Sequence, residues 1–286
     1  MSLKSRVFRA YRAVVFYLSQ MNLDFAAFVT LHNFLMMILK PKILEFEGHK
    51  IFLDKNNSLR LFKTPTDISL QTTIVRKNIK LGQVVIDVGA HIGYYSLIFA
   101  KLVGSSGRVF AFEPDKNNFS LLVKNVRINN YKNVICERKA VADFYGRTRL
   151  YLSNSSQADH RVYKTWENRK FVFVQVITLD SYFKNYRGRI DFVKIDVQGA
   201  EMKVLKGMAV MLKKNKNIKI LTEFWPEGII SSGDDPLKFL KLLEDLGFRL
   251  WDINERKQRL IRSKINYLMR SYTLENKKDT NLLCAR

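Results

Sequence analysis

The stretch from Val84 to Ser96, VVIDVGAHIGYYS, constrains this chain more than any other. Val84, Val85, Ile86 and Val88 favour extended backbone around Asp87. Gly89 and Gly93 then bracket a short turn, and Tyr94 to Val103 carries apolar residues at helical spacing. A buried strand that runs through a glycine turn into a helix can cradle a nucleotide-like ligand. Glycine lets the backbone approach the ligand closely, and free N–H groups at a helix start favour negative or polar groups. Glycine after a strand is common, so the weight of this feature depends on its surroundings.

Those surroundings alternate strand and helix. RVFAFEP (108–114) reads as a second strand, and Asp115 can cap the helix carrying Phe119, Leu122, Val123, Val126 and Ile128. A third strand and a loop follow in NVICERKAVAD, a fourth strand in IDFVKIDVQGAE (190–201), and a helix from Glu201 to Leu212. Residues 218–224 form the fifth strand, 236–246 a helix opened by Pro236, and 248–253 the sixth strand. NLLCAR is expected as an edge strand, and the basic stretch 256–270 as a solvated face or loop. Repeated strand–helix–strand order implies an α/β, Rossmann-like domain, with a mostly parallel seven-stranded sheet and helices on both faces. Ligands then bind beyond the carboxyl ends of the strands, where Asp87, Gly89 and Glu113 fall. RTRLYLS (147–153) and KFVFVQVITLD (170–180) interrupt the alternation around a polar segment, 154–169. They read as a β insertion or hairpin reaching over the site.

Residues 3–39 read as one or two amphipathic helices ending at Pro41, giving a helical appendage over 1–41 and a main domain over 42–286 with its core at about 60–253. Lys4, Arg6, Arg9 and Arg12 precede the apolar run Ala13–Leu18, but Ser19, Gln20, Asn22 and Asp24 break it. The segment therefore does not read as a signal peptide, and no window approaches the about 20 apolar residues of a spanning helix. A packing appendage, a dimer element and a membrane-surface helix all remain open for it. Lys and Arg number 49 against 26 Asp and Glu, a formal charge of +23. Such a charge attracts nucleic acid, anionic lipid or a phosphorylated substrate, although a proteome-wide basic bias produces the same count. Cys136 and Cys284 are the only cysteines. They offer neither metal-ligand spacing nor a disulfide framework, which fits the cytoplasm, with peripheral attachment at the inner membrane face if the appendage binds lipid.

Glu113 ends the second strand 20 residues after Gly93, where an acidic residue accepts hydrogen bonds from ribose hydroxyls. The turn itself reads D-x-G-x-x-x-G rather than G-x-G-x-x-G, so no pyrophosphate cradle is spelled out. An acidic strand end instead suits a ligand with an ammonium or sulfonium group, and S-adenosylmethionine has both.

VIDVGAHIGYYS, FAFEP, KAVAD, ITLDSYF and VKIDVQGAE, in this order, resemble the FkbM-type class I methyltransferases over about residues 60–226. KIDVQGAE is the most specific piece. The resemblance implies S-adenosylmethionine dependence and methylation of a hydroxyl, as on sugars or polyketides. It implies donor contacts by Asp87, Gly89, Ala90 and Gly93, with Glu113 on the ribose and Ala142 and Asp143 near the adenine. Asp196 would sit beside the transferred methyl. Two features depart from the family: His91 stands where many members have Asn, and nothing acidic lies between Asp67 and Asp87.

A methyl on positive sulfur is already electrophilic, so catalysis is mainly alignment plus removal of the acceptor's proton. Asp196, Glu201, Glu223, His160 and His91 are the candidate bases at the sheet rim. Glu201 also reads as a first-turn acid favoured by the helix dipole, Glu223 as a salt-bridge partner, and His160 as a solvated loop residue. His91 suits donor contact better than base chemistry. Asp196 and Glu223 close neighbouring strands and are able to share a cation, but no metal site is indicated. The leading reading is an O-methyltransferase acting on a sugar, glycan, glycolipid or similar small acceptor. An RNA methyltransferase is the alternative raised by the charge, and a non-catalytic, membrane-associated protein retaining the fold is the third.

Overall fold

The computed structural model describes residues 42–53, 69–154 and 156–286, together with Val7. The expected appendage over 1–41 lies, apart from Val7, outside the described residues. An antiparallel pair, β1 (Ile43–Phe46) and β2 (His49–Phe52), comes first, and α1 (Leu70–Asn78) leads into the main sheet. Ser69 caps α1 by accepting from the Thr72 N–H. Then follow β3 (Val84–Val88), α2 (Tyr94–Val103), β4 (Arg108–Phe112), α3 (Lys116–Ile128) and β5 (Val134–Glu137). Asp115 caps α3 by accepting from the N–H groups of Asn117 and Asn118.

The insertion is a separate three-stranded sheet of β6 (Ala140–Val141), β7 (Gly146–Tyr151) and β8 (Phe171–Ile177), with β8 in the middle. After it come α4 (Leu179–Tyr182), β9 (Phe192–Ile195), α5 (Glu201–Lys206), α6 (Ala209–Lys214), β10 (Lys219–Phe224) and α7 (Pro226–Ser231). The chain finishes with α8 (Pro236–Asp245), β11 (Arg249–Asn254), β12 (Arg259–Ser263), α9 (Ile265–Ser271) and β13 (Thr280–Ala285).

The main sheet has the order β12-β11-β13-β10-β9-β3-β4-β5. The run from β10 to β5 is parallel throughout, and the chain reverses between β3 and β9 to fill both sides of β3. That reversal opens a crevice at the carboxyl ends of β3 and β9. Successive residues of the central strands face opposite layers. Ile86, Phe110, Val193 and Ile220 pack into one core with α5, α6 and α8, whereas Val85, Val109, Phe192 and Leu221 pack into the other with α1, α2 and α3. Burial on both faces explains why these strands are continuously apolar.

Three expectations need correction. The sheet has eight strands rather than seven, because the basic stretch 256–270 holds β12 and α9 rather than a loop. NLLCAR is not an edge strand: β13 lies between β10 and β11, antiparallel to both. The helix expected over 201–212 is two short helices broken at Gly207 and Met208. Gly207 meets the backbone of Ala142 there, and a Cβ on it would stand 2.0 Å from the Ala142 carbonyl oxygen.

Candidate active site

The β3–α2 turn is fixed almost wholly by backbone. Gly89 has φ +79°, and a Cβ there would lie 1.9 Å from the Asp196 carbonyl oxygen, so only glycine lets β3 and β9 close at this point. The N–H groups of Gly89 and Ala90 both donate to the Phe112 carbonyl, at 3.0 and 2.9 Å. His91 adopts φ +51° and donates its N–H to Glu113 Oε2 at 2.8 Å, while Asp115 donates its N–H to Oε1 at 2.9 Å. Gly93, at φ +93°, caps α2 and packs against Leu122. Burial raises the Glu113 carboxyl to about 8, against the pull of the two N–H donors.

A cavity of about 230 Å³ opens above this turn, and its walls include Asp87, Gly89, Ala90, His91, Glu113 and Asp196. Asp87 is buried. Its Oδ2 accepts from Ser96 Oγ at 2.6 Å, and its Oδ1 has no hydrogen-bond partner. Lys194, a buried residue that sequence reasoning passed over, stands between two carboxylates. Its Nζ lies 3.0 Å from Asp196 Oδ2, 3.9 Å from Asp87 Oδ1, and 5.0 Å from the centre of the Tyr95 ring. Gln198 Nε2 donates to the other Asp196 oxygen at 3.0 Å. Burial opposes charge on Asp196, but Lys194 and Gln198 outweigh it and hold the carboxyl below its ordinary range. Burial raises the Asp87 carboxyl, which Lys194 and Ser96 only partly offset. The Asp196 side chain is 37% exposed against 1% for Asp87, so of this pair it is the carboxylate open to an acceptor. Lysine amid an apolar parallel strand was the signal available in the sequence, because lysine is almost never buried without a partner.

The other candidates divide. His91 and His160 line the cavity. His160 Nδ1 accepts from the Ser153 N–H at 3.0 Å, so a neutral ring carries its proton on Nε2. Glu201 and Glu223 lie outside the cavity wall. Glu201 Oε1 accepts from the N–H groups of Val197 and Gly199, both at 3.1 Å, which ties the β9–α5 turn together. Burial raises the Glu201 carboxyl to about 7. Glu223 has a buried Oε2 without a hydrogen-bond partner, and burial together with Asp196 and Glu201 raises its carboxyl well above the ordinary value. Ala142 and Asp143 also fall outside the wall, where the chain instead presents Lys139, Ala140 and Val141. Ala142 packs on Gly207, and Asp143 is exposed.

Gln157, Ala158, His160 and Val162 of the segment 156–169 line the cavity, and this segment is strapped down at several points. Asn118 Nδ2 donates to the Gln157 carbonyl at 2.9 Å, Tyr163 OH to the Gln198 carbonyl at 2.6 Å, and buried Arg169 joins Asp159 and Glu167. Asp87 Oδ1 and Asn118 Oδ1, both buried without a hydrogen-bond partner, belong to wall residues and can accept hydrogen bonds. A ligand bearing hydroxyl, amino or ammonium donors fits this wall, as S-adenosylmethionine does. Among the described residues no group of three or more His, Cys, Asp or Glu is placed to hold a metal ion, and no helix is long and apolar enough to cross a membrane.

Sheet order, the glycine turn and the acid ending β4 together define a class I methyltransferase domain. Residues 87–250 match the family model of the methyltransferase FkbM domain, and the chain belongs to that family, which makes this an S-adenosylmethionine-dependent methyltransferase domain. A relative, Methyltransferase 1 of Beauveria bassiana (strain ARSEF 2860), is 26% identical over a 144-residue alignment that covers 43% of this chain and 57% of that protein. The chain thus spans little more than half of that relative's length. Among solved structures, precorrin-6y C5,15-methyltransferase from Geobacter metallireducens GS-15 is 11% identical, with 86% of this chain and 100% of that chain covered and a TM-score of 0.44. A SAM-dependent O-methyltransferase from Thermotoga maritima is 13% identical, with coverages of 85% and 77% and a TM-score of 0.42. Fibrillarin from Aeropyrum pernix, in complex with natively bound S-adenosyl-L-methionine, is 11% identical, with coverages of 76% and 74% and a TM-score of 0.42. Likeness at these scores carries no argument about the acceptor.

Proposed function

We propose that the chain transfers a methyl group from S-adenosylmethionine to a hydroxyl of a sugar, glycan, glycolipid or similar small acceptor. The observation that supports this reading best is the Lys194–Asp196–Gln198 arrangement. It places a partly exposed, ionised carboxylate in the wall of the cavity, against the glycine turn that would hold the donor. In this reading Asp87 takes the ammonium of the donor's amino-acid tail, and Gly89, Ala90, His91 and Gly93 shape the turn around it. Glu113 takes the ribose hydroxyls, with Lys139 to Val141 rather than Ala142 and Asp143 beside the adenine.

The bound donor supplies an electrophilic methyl group. The chain's own part is to align an acceptor oxygen and receive its proton. Asp196 receives that proton, and Lys194 and Gln198 fix the carboxylate so that it is oriented before the acceptor arrives. His160, held at Nδ1 by the Ser153 N–H, lines the same cavity and in this reading contacts the acceptor. Glu201 and Glu223 support the turn and strand from behind the wall.

Calorimetry with S-adenosylmethionine and a labelled-methyl assay on fractionated extract test this reading. Binding by the protein, with label entering the carbohydrate fraction, supports it. No donor binding overturns the whole reading, whereas donor binding with label in RNA replaces the acceptor class alone.

A further inference from the structure

The face of the insertion sheet turned away from the cavity is built for contact. Register places Arg147, Arg149 and Tyr151 of β7 beside Phe171 and Phe173 of β8 on that face, while Leu150, Val174 and Val176 point inward and are buried. Phe171 is 43% and Phe173 57% exposed, and Trp166, just before β8, is 89% exposed. Tyr145 and Phe144, in the turn between β6 and β7, are also exposed. Elsewhere among the described residues the exposed large aromatic is Tyr267, so aromatic exposure concentrates on this one element. The arginines lie against the rings, with Arg149 4.7 Å from the Phe171 centroid and Arg147 5.6 Å from that of Phe173. Among the described residues no carboxylate pairs with Arg147, Arg149, Lys164 or Lys170, whereas Arg161 and Arg169 are neutralised by Asp159 and Glu167.

We propose that this face docks the protein on an anionic lipid surface, with the aromatic side chains entering the headgroup region and the unpaired cations meeting lipid charge. Exposed Trp, Tyr and Phe fringed by Arg and Lys match an interface that is apolar on one side and wet on the other. Charge complementarity selects the partner, since the cations without carboxylates sit on the same element as the exposed rings. A single-stranded nucleic acid also takes up arginine and aromatic residues, but it stacks its bases on open ring faces. Here guanidinium groups already lie against the rings of Phe171 and Phe173. The same segment walls the cavity through Leu150, His160 and Val162.

Co-sedimentation of the full chain with vesicles of phosphatidylcholine alone, or with added phosphatidylglycerol, tests the proposal. The chain is expected to bind the anionic vesicles selectively. The double variant Arg147→Ala/Arg149→Ala should weaken that binding about 25-fold, taking about fivefold per cation at a charged surface. Phe171→Ser/Phe173→Ser should weaken it as well, while both variants keep wild-type calorimetry with S-adenosylmethionine and wild-type circular dichroism. Vesicle binding untouched by either variant would move attachment to another part of the chain and overturn the proposal. So would failure to bind vesicles, whether or not a poly(U) oligonucleotide is bound in a variant-sensitive way; that sensitivity would make nucleic acid the partner.

Discussion

The two walls of the cavity are made in different ways. On the β3–α2 side, backbone does the positioning: two N–H groups converge on the Phe112 carbonyl, two more fix Glu113, and Gly89 lets β3 touch β9. On the β9 and insertion side, side chains do it: Lys194 and Gln198 hold Asp196, Ser153 orients His160, and Tyr163 anchors the cover to Gln198. A wall of backbone recognises one invariant ligand and tolerates few residues. In the proposed reading, a wall of side chains can be re-cut for a new acceptor without disturbing the first.

The contrast breaks most sharply at Asp196. Asp196→Asn should lower methyl transfer by about 10²- to 10⁴-fold, the usual worth of a positioned base, while S-adenosylmethionine binding stays within a few-fold. Equal loss of binding and turnover would show that the residue belongs to the donor wall. Lys194→Met comes next. Removing the cation from a buried pair typically costs about 3 to 5 kcal/mol, read from urea unfolding, and adding Asp196→Asn should recover part of it. Gly89→Ala forces a Cβ into the Asp196 carbonyl from a left-handed backbone, at a cost of about 2 to 4 kcal/mol. Donor affinity should fall with it.

Glu113→Gln should weaken S-adenosylmethionine binding by about tenfold, since one charge-assisted hydrogen bond is lost. With the free carboxyl near 8, ribose contact that favours the ionised form should release a proton on binding at pH 7. Calorimetry in buffers of different ionisation enthalpy reads that release, and the variant should abolish it. The smallest effect concerns Glu201. Its folded pKa near 7 lies above the ordinary carboxyl value of 4.5, so its contribution to stability is full below 4.5 and is lost as pH rises through 7. Glu201→Gln keeps an acceptor oxygen for the Val197 and Gly199 N–H groups, so it should flatten this part of the stability profile without lowering turnover much.

The same division explains what was legible in the sequence. Backbone devices leave glycine spacing, a strand-end acid and apolar runs, so the β3–α2 turn, the position of Glu113 after β4 and the chain order of β3, β4, β9 and β10 could all be read directly. Side-chain devices leave no period. Lys194 looked like one more lysine in a chain of 49 basic residues, although its position inside FVKI set it apart. β12 escaped because RLIRS is largely exposed and basic, with little hydrophobic alternation to mark it. β13 was recognised as a strand but misplaced, since an apolar run says that a strand is buried and not which neighbours it parts. Ala142 and Asp143 follow the chain order of the family motif, yet a two-residue β6 turns the wall inward before them, at Lys139 to Val141.

The place of β13 has a consequence for how the protein is made. Residues 280–285 fill the gap between β10 and β11, which precede them by dozens of residues. Until that segment clears the ribosome, both flanking strands keep a bare hydrogen-bonding edge, and Leu250 lacks its partner Cys284. The sheet is therefore completed after synthesis of nearly all its parts. The waiting edges are the sites where a nascent chain of this topology needs protection from pairing with a neighbour.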